Sequence, residues 1–254
     1  MELDGRIRRR IEKISGLPFE LFPDEGVRVR VSEARTNKPK NRLLAQRVIG
    51  KNGVLITGIP RVVEAVRECA ESMTPWELFS PLGLAEMKRS LSPEDTAYLD
   101  ETYSFEFALT ETDKFHPVSS RYRVVPLRKK DIPPMQYNLR MAERRSFEVD
   151  DFIWAFACYH KDSAIPAKRL PEYGPQCASV AVILWQDDDV AGFGVGTEES
   201  LQGKGYALAT VSAATQWILD QNAVAWYGAY ANNTPSLRIA RRLGFSLVYS
   251  SFVA

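Results

Sequence analysis

The chain has few of the residues that hold metals and disulfides. Its 254 residues include three cysteines and two histidines. Cys69, Cys158 and Cys177 are too widely spaced for a disulfide framework or a zinc site. With His116 and His160 as the whole histidine complement, no metal is expected. A reducing, cytoplasmic setting is the default for such cysteine usage. No apolar run reaches the length of a membrane span. The opening "MELDGRIRRRIEKISG" is basic but has no apolar stretch behind it, so it does not read as a secretory signal. Charge is balanced, with 33 Lys and Arg against 32 Asp and Glu. No global field therefore draws the protein to nucleic acid or to a membrane surface. Repeats and low-complexity tracts are also missing. What remains is ordinary globular composition, 45% hydrophobic and 26% charged, in a chain long enough for one large domain or two ordinary ones.

Along the chain, Asp4 to Ser15 reads as a short helix with Ile7, Ile11 and Ile14 on one side. "GVLITGIPRVVEAVREC" predicts a buried strand, Val54 to Thr57, then a helix. Pro60 suits its first turn, and Val62, Val63, Val66 and Cys69 form its apolar stripe. Gly50, Gly53 and Gly58 lack the order of a phosphate-binding P-loop. Thr74-Pro75-Trp76-Glu77 is a capping box, and Ser92, Pro93 and Asp95 repeat its logic. "YSFEFAL" alternates as a strand does. "TETDKFHPVSS" is polar and reads as a linker, which places a boundary near Val118. The expected domains are therefore 1–118 and 119–254. In the second, strands are expected at Arg121 to Leu127, "DFIWAFACY", "CASVAVILW" and "VAGFGVGT", with a helix at Asp131 to Arg145 and a turn at Asp187 to Asp189.

The most informative stretch is "VGTEESLQGKGYALAT". A strand ends at Thr197, and a loop carries Gly203, Lys204 and Gly205. From Tyr206 the pattern turns helical, through Ala207, Val211, Ala214 and Ile218. Glycine weakens both strands and helices, so its use here needs a reason. A strand, a glycine loop and a helix leave unpaired amides at the helix start, and these with the helix dipole favour an anion. Lys204 can add charge. A Rossmann reading fails, because no acidic residue ends a second strand about 20 positions on. Another strand, "AVAWYGAY", comes next. Then "NNTPSLRIARRLGF" gives a cap at Asn233 or Thr234, a helix through Leu237, Ala240 and Leu243, and a stop at Gly244. Phe245 opens a last strand.

In this order of elements the sequence resembles the GNAT superfamily of acyl-CoA-dependent N-acetyltransferases. That family's signature is Gln or Arg, two residues, Gly, one residue, then Gly or Ala. Gln202, Gly203, Lys204, Gly205, Tyr206 and Ala207 fit it. An Asn before a helix ending in Gly-Phe is matched by Asn233, Ser236, Gly244 and Phe245. The resemblance runs from about Arg121 to Ala254 and is most similar to bacterial members with an extra amino-terminal α/β domain. It implies an α/β (α+β mixed) fold with a central mixed, splayed sheet flanked by helices, plus that smaller domain. It implies acetyl-CoA as cosubstrate and an amine acceptor. The pyrophosphate would lie on Gln202, Gly203, Lys204, Gly205, Tyr206, Ala207 and Leu208. The pantetheine arm would pair with the backbone of Val195, Gly196 and Thr197, and Asn233 and Ser236 would border the thiol.

An acetyl transfer to an amine needs a neutral nucleophile, a donor to the thioester oxygen and, least critically, an acid for the thiolate. Many family members place a Tyr four residues before the Gly; here that residue is Ala240. Tyr249 and Tyr230 are the substitutes, Tyr249 first. For the base, Glu198 leads, with Glu199 and His160 behind it. Cys158 and Cys177 read as small core residues, which leaves no acyl-cysteine route. The expected activity is acetyl transfer to a primary amine of a small molecule or protein. The alternative is an inactive acyl-CoA-binding sensor or interaction module. A third reading, nucleic-acid binding through Arg6 to Arg10 with Arg238, Arg241 and Arg242, is opposed by the neutral charge. No membrane partner is expected, and a homodimer stays open.

Overall fold

The computed structural model describes residues 3–36, 42–96, 103–111, 114–118, 122–128, 152–159, 177–187, 189–197 and 199–253. The helix expected over Asp131 to Arg145, together with His160 and Glu198, lies outside them. The chain divides into two compact units. The first holds Met1–Phe107, Gly228–Asn233 and Leu247–Ala254; the second holds Ala108–Tyr227 and Thr234–Ser246.

In the first unit the chain forms α1 (Gly5–Ser15), β1 (Val27–Val31), β2 (Leu43–Val48), β3 (Val54–Gly58), α2 (Pro60–Glu71), α3 (Pro75–Leu78), α4 (Pro81–Ser90), α5 (Pro93–Thr96) and most of β4 (Ser104–Leu109). Its last strand, β10 (Ser246–Val253), lies beside β2. The strand order is β1-β3-β2-β10-β4. β1 and β3 run parallel, while β2 is antiparallel to both β3 and β10. One face of these strands carries Val29, Ala45, Ile56 and Phe252, and α2 buries Val62, Val63, Val66 and Ala70 against it. That stripe is the 3.6-residue pattern read from the sequence, with Pro60 opening the helix. The predicted capping box on α3 is formed in both directions, Thr74 and Glu77 bonding each other's backbone.

The second unit contains β5 (Val124–Arg128), β6 (Phe152–Tyr159), β7 (Cys177–Asp187), β8 (Val190–Thr197), α6 (Tyr206–Asp220), the start of β9 (Val224–Tyr230) and α7 (Thr234–Arg242). Its strand order is β9-β8-β7-β6-β5. β5 to β8 form an antiparallel meander, and α6 carries the chain across to β9, which is parallel to β8. α6 packs on β6, β7 and β8. Alanines let it lie close, and Val211, Ala214 and Ile218 are wholly buried. Each unit is thus a mixed sheet with helices against it. Among the described residues no helix is long and apolar enough to cross a membrane.

One expectation needs correcting. Residues 114–118, read as linker because of their polarity, are pinned. Phe115 is buried, the His116 N–H donates to the Leu243 carbonyl at 3.1 Å, and the Val118 N–H donates to Ser212 Oγ at 3.1 Å. The single apolar ring in a polar run determines the outcome.

Asp95 is a buried carboxylate of the first unit, with 6% of its side chain exposed. Arg42 and Arg61 donate to it at 2.8 and 2.9 Å, and Ser92 adds a third bond. Desolvation raises its pKa, but these donors outweigh that and hold it below the ordinary 3.8. A depressed folded pKa contributes stability above the unfolded value, and that contribution fades as pH falls through the folded one. Asp95→Asn should therefore melt lower than wild type at pH 7. The gap should narrow below pH 3.8, as followed by circular dichroism across pH.

Candidate active site

The site is built where β8 leaves the sheet. Past Thr197 the chain makes a single 3-10 turn, Glu199–Leu201, and then the glycine loop. Gly203 and Gly205 have φ of +73° and +91°, a region that costs any residue with a Cβ. Gly205 is the N-cap of α6, and no side chain caps the helix there. The first intrahelical bond is that of the Ala209 N–H to the Gly205 carbonyl, at 3.2 Å. The amides of Ala207 and Leu208 lie in the first turn, where a helix leaves its N–H groups without an intrahelical carbonyl. Their dipoles add to that of a 15-residue helix. A Cβ on Gly203 would meet nothing within 4 Å, so the glycine is required by its backbone angle and not by crowding.

The loop is held from two sides. The Tyr122 hydroxyl donates to the Lys204 carbonyl at 2.7 Å, and its ring lies 4.2 Å from that of Tyr206. Tyr206 and Ala209 pack in turn on Cys158 and Ala178. From below, Ser179 Oγ donates to the Gly196 carbonyl at 2.8 Å and lies 3.0 Å from Thr197 Oγ1 and 3.3 Å from Thr210 Oγ1. Thr210 bonds back to the Ala207 carbonyl at 3.0 Å. Ser179 and Thr210 are fully buried, so this hydroxyl chain fixes the end of β8 against the first turn of α6. Neither residue was singled out in the sequence, where each reads as one small polar residue in an apolar run.

Beside the loop, β8 and β9 part. They pair over Val190–Gly192 against Val224–Trp226, and no described residue beyond continues the ladder. On its other edge β8 stays paired with β7 as far as Thr197. The residues just past the last pair are Phe193 and Tyr227, whose ring centroids lie 5.0 Å apart. Phe245, just past the α7 glycine, closes on both at 6.3 and 5.9 Å. Three rings thus fill the apex of the split. The Tyr227 hydroxyl is buried and makes no hydrogen bond among the described residues; burial raises its pKa, and nearby Ser236 opposes the rise.

The sequence-predicted residues fall as follows. Gln202, Gly203, Lys204 and Gly205 are exposed, and the Lys204 ammonium donates to the Ser200 carbonyl at 3.1 Å. Tyr206 and Leu208 turn their side chains into the core, so only their amides face the loop; Ala207 is half-buried. Val195, Gly196 and Thr197 are half-buried on the open stretch of β8. Ser236 stands on α7, in the second unit. Asn233 is exposed and belongs to the first unit, where its N–H donates to the Tyr230 carbonyl at 2.9 Å. Tyr230 is 45% exposed. Tyr249 also belongs to the first unit, buried on β10 opposite Val48. Burial and the Glu106 carboxylate raise its pKa well above the usual phenol value, against the pull of Arg10 and Arg35. Ala240 is fully buried. Among the described residues no cluster could hold a metal ion.

A parallel strand pair that splits, with a helix start at the end of one strand that no side chain caps, marks an α/β domain. Residues 137–245 match the model of the acetyltransferase (GNAT) family, and the chain carries a domain of that family. Solved structures similar to the chain include a protein of the GNAT family from Novosphingobium aromaticivorans (15% identity, 61% of this chain and 65% of that one, TM-score 0.45). A GCN5-related N-acetyltransferase-like protein from Streptococcus suis is 15% identical over 81% of this chain and 73% of its own, at a TM-score of 0.40. A GCN5-related N-acetyltransferase from Kribbella flavida is 16% identical over 69% and 64%, also at 0.40. The chain spans just under two thirds of the first of these. No curated protein matches the sequence significantly.

Two substitutions test this geometry. Ser179→Ala removes the hub of the hydroxyl chain and should cost about 1–3 kcal/mol, with faster amide exchange at Thr197 and in the first turn of α6. Gly244 has φ +90°, and a Cβ there would run into the Lys114 carbonyl. Gly244→Ala should cost more than about 2 kcal/mol in denaturant unfolding.

Proposed function

We propose that the protein is an N-acetyltransferase that moves an acetyl group from acetyl-CoA to a primary amine by direct attack. The observation that carries this reading is the uncapped start of α6 at Gly205, at the end of a strand that has parted from its neighbour. In this reading the amides of Gly203 to Leu208 take the pyrophosphate, with Gln202 and Lys204 at the rim. The free edge of β8 at Val195, Gly196 and Thr197 takes the pantetheine arm as an added strand would. One of these amides polarises the thioester oxygen. Asn233 and Ser236 lie toward the sulfur.

The amine must lose a proton before it attacks. Glu198, next to the end of β8, is the proposed base, acting directly or through a water. Two phenols are proposed for the departing thiolate: Tyr249, and Tyr227 on β9. What favours Tyr227 is its place at the apex of the strand split, beside Ser236. The amino-terminal stretch, residues 1–118, is proposed as an accessory domain that narrows the choice of acceptor.

A second reading, a CoA-binding protein without turnover, is favoured by the buried Ala240 at the position where many GNAT proteins carry Tyr. Calorimetry with CoA and thiol release from acetyl-CoA across a panel of amines separate the two. Gly205→Val forces a β-branched residue into φ +91° and should weaken CoA binding about tenfold or more, with the rest of the fold intact by circular dichroism. Unchanged affinity in that variant would sink the cofactor assignment. Tight binding with no thiol release on any amine would establish the second reading.

A further inference from the structure

The first unit buries a cation without a counter-ion. Arg35 closes a 3-10 turn, Glu33–Arg35, after β1, and it is 2% exposed. Its Nε and Nη2 are buried and make no hydrogen bond among the described residues. These two nitrogens lie on one edge of the guanidinium, and their parallel N–H bonds are the fork that matches the two oxygens of a carboxylate. The group acting on the charge of Arg35 is Tyr249, whose phenol is neutral at ordinary pH because its own pKa lies well above 10. Burying an arginine unpaired costs far more than leaving it in water.

The surroundings are polar as well. Along β2 and β10, Gln46 faces Ser251 and Val48 faces Tyr249, so Gln46, Ser251 and Tyr249 share one face of the sheet. This is the face opposite the one covered by α2. Gln46 is fully buried, and among the described residues neither its amide oxygen nor its nitrogen has a partner. A lone buried amide of this kind is rare. The charged groups acting on Tyr249 are Glu106, Arg10 and Arg35. Arg10, on α1, and Glu106, on β4, are half-buried, so the cluster reaches solvent on their side. α1 is held over this region at its end, where Ser32 Oγ donates to the Ser15 carbonyl at 2.7 Å. Two arginines against one glutamate leave a single positive charge.

We propose that Arg35, with Gln46 and Tyr249 beside it, forms a receptor for a small monoanionic carboxylate in the first unit. The carboxylate oxygens take the Nε and Nη2 edge, and the Gln46 amide donates to one of them. The net charge of the cluster matches one negative charge and disfavours a dianionic phosphate. Tyr249 is also one of the two phenols proposed for the thiolate; the receptor uses only its place near Arg35, so it stands or falls apart from acetyl transfer.

The test uses the full chain. Acetate, glycine and inorganic phosphate are titrated while the arginine Nε–H resonances are followed by nitrogen-15 NMR. Acetate should shift one such resonance saturably, and that resonance should be missing in Arg35→Met. Gln46→Leu, which keeps Arg35, should weaken acetate about fivefold, the equivalent of one hydrogen bond. Without added anion, Arg35→Met should melt higher than wild type, because it replaces an unpaired charge with an apolar chain. Glycine should bind more weakly than acetate, because its ammonium adds a second positive charge, and tighter glycine would overturn the charge match. No saturable shift, a shift that persists in Arg35→Met, or tighter phosphate than acetate would overturn the proposal. So would a lower melting temperature, or failure to fold, in Arg35→Met, since either means that the guanidinium is already satisfied.

Discussion

The second unit is organised by a helix whose N-cap residue brings no side chain to its first amides. Serine, threonine, aspartate or asparagine would cap α6 and satisfy one of its first amides. Gly205 does neither, and its left-handed backbone leaves the first turn open. What α6 forgoes at its start it recovers along its length, where Leu208, Val211, Ala214 and Ile218 are buried against β6 to β8. The apolar seat keeps the helix formed while its end stays receptive to an anion. The Ser179–Thr210 hydroxyl chain then couples that end to β8, so the strand edge and the helix start are presented as one surface.

The two units contrast in their unsatisfied groups. In the second, they include the backbone amides of the exposed glycine loop as well as the buried Thr215 and Tyr227 hydroxyls. In the first, they belong to buried side chains, Arg35 and Gln46, with an interior phenol beside them. Exposed amides can be met by water and cost little when empty. A buried guanidinium has no such recourse.

Much of the second unit was legible in the sequence. The strand ending at Thr197, the helix start at Tyr206, the strand of "AVAWYGAY" and the stop at Gly244 fall where periodicity and glycine place them, because local signals suffice for such boundaries. The first unit was less legible. β1 and β2 were not read as strands. "VRVRV" alternates with arginine, whose burial depends on partners far along the chain, and "LLAQRV" hides its glutamine in a buried face. The strand split was expected by resemblance, but the rings that fill it were not, since Phe193, Tyr227 and Phe245 come from three separate elements. Nor does spacing reveal that Ser179 meets Thr210, 31 residues on. Such contacts exist only once the sheet is assembled.

The three rings at the parting of β8 and β9 have one more consequence. They are close-packed side chains from two strands and the segment after α7, so the wedge is part of the hydrophobic interior and cannot swing aside like a flap. The strands are held apart by their own core, so the width of the parting follows from ring size, and trimming or enlarging an interior aromatic would change it without touching the open edge of β8.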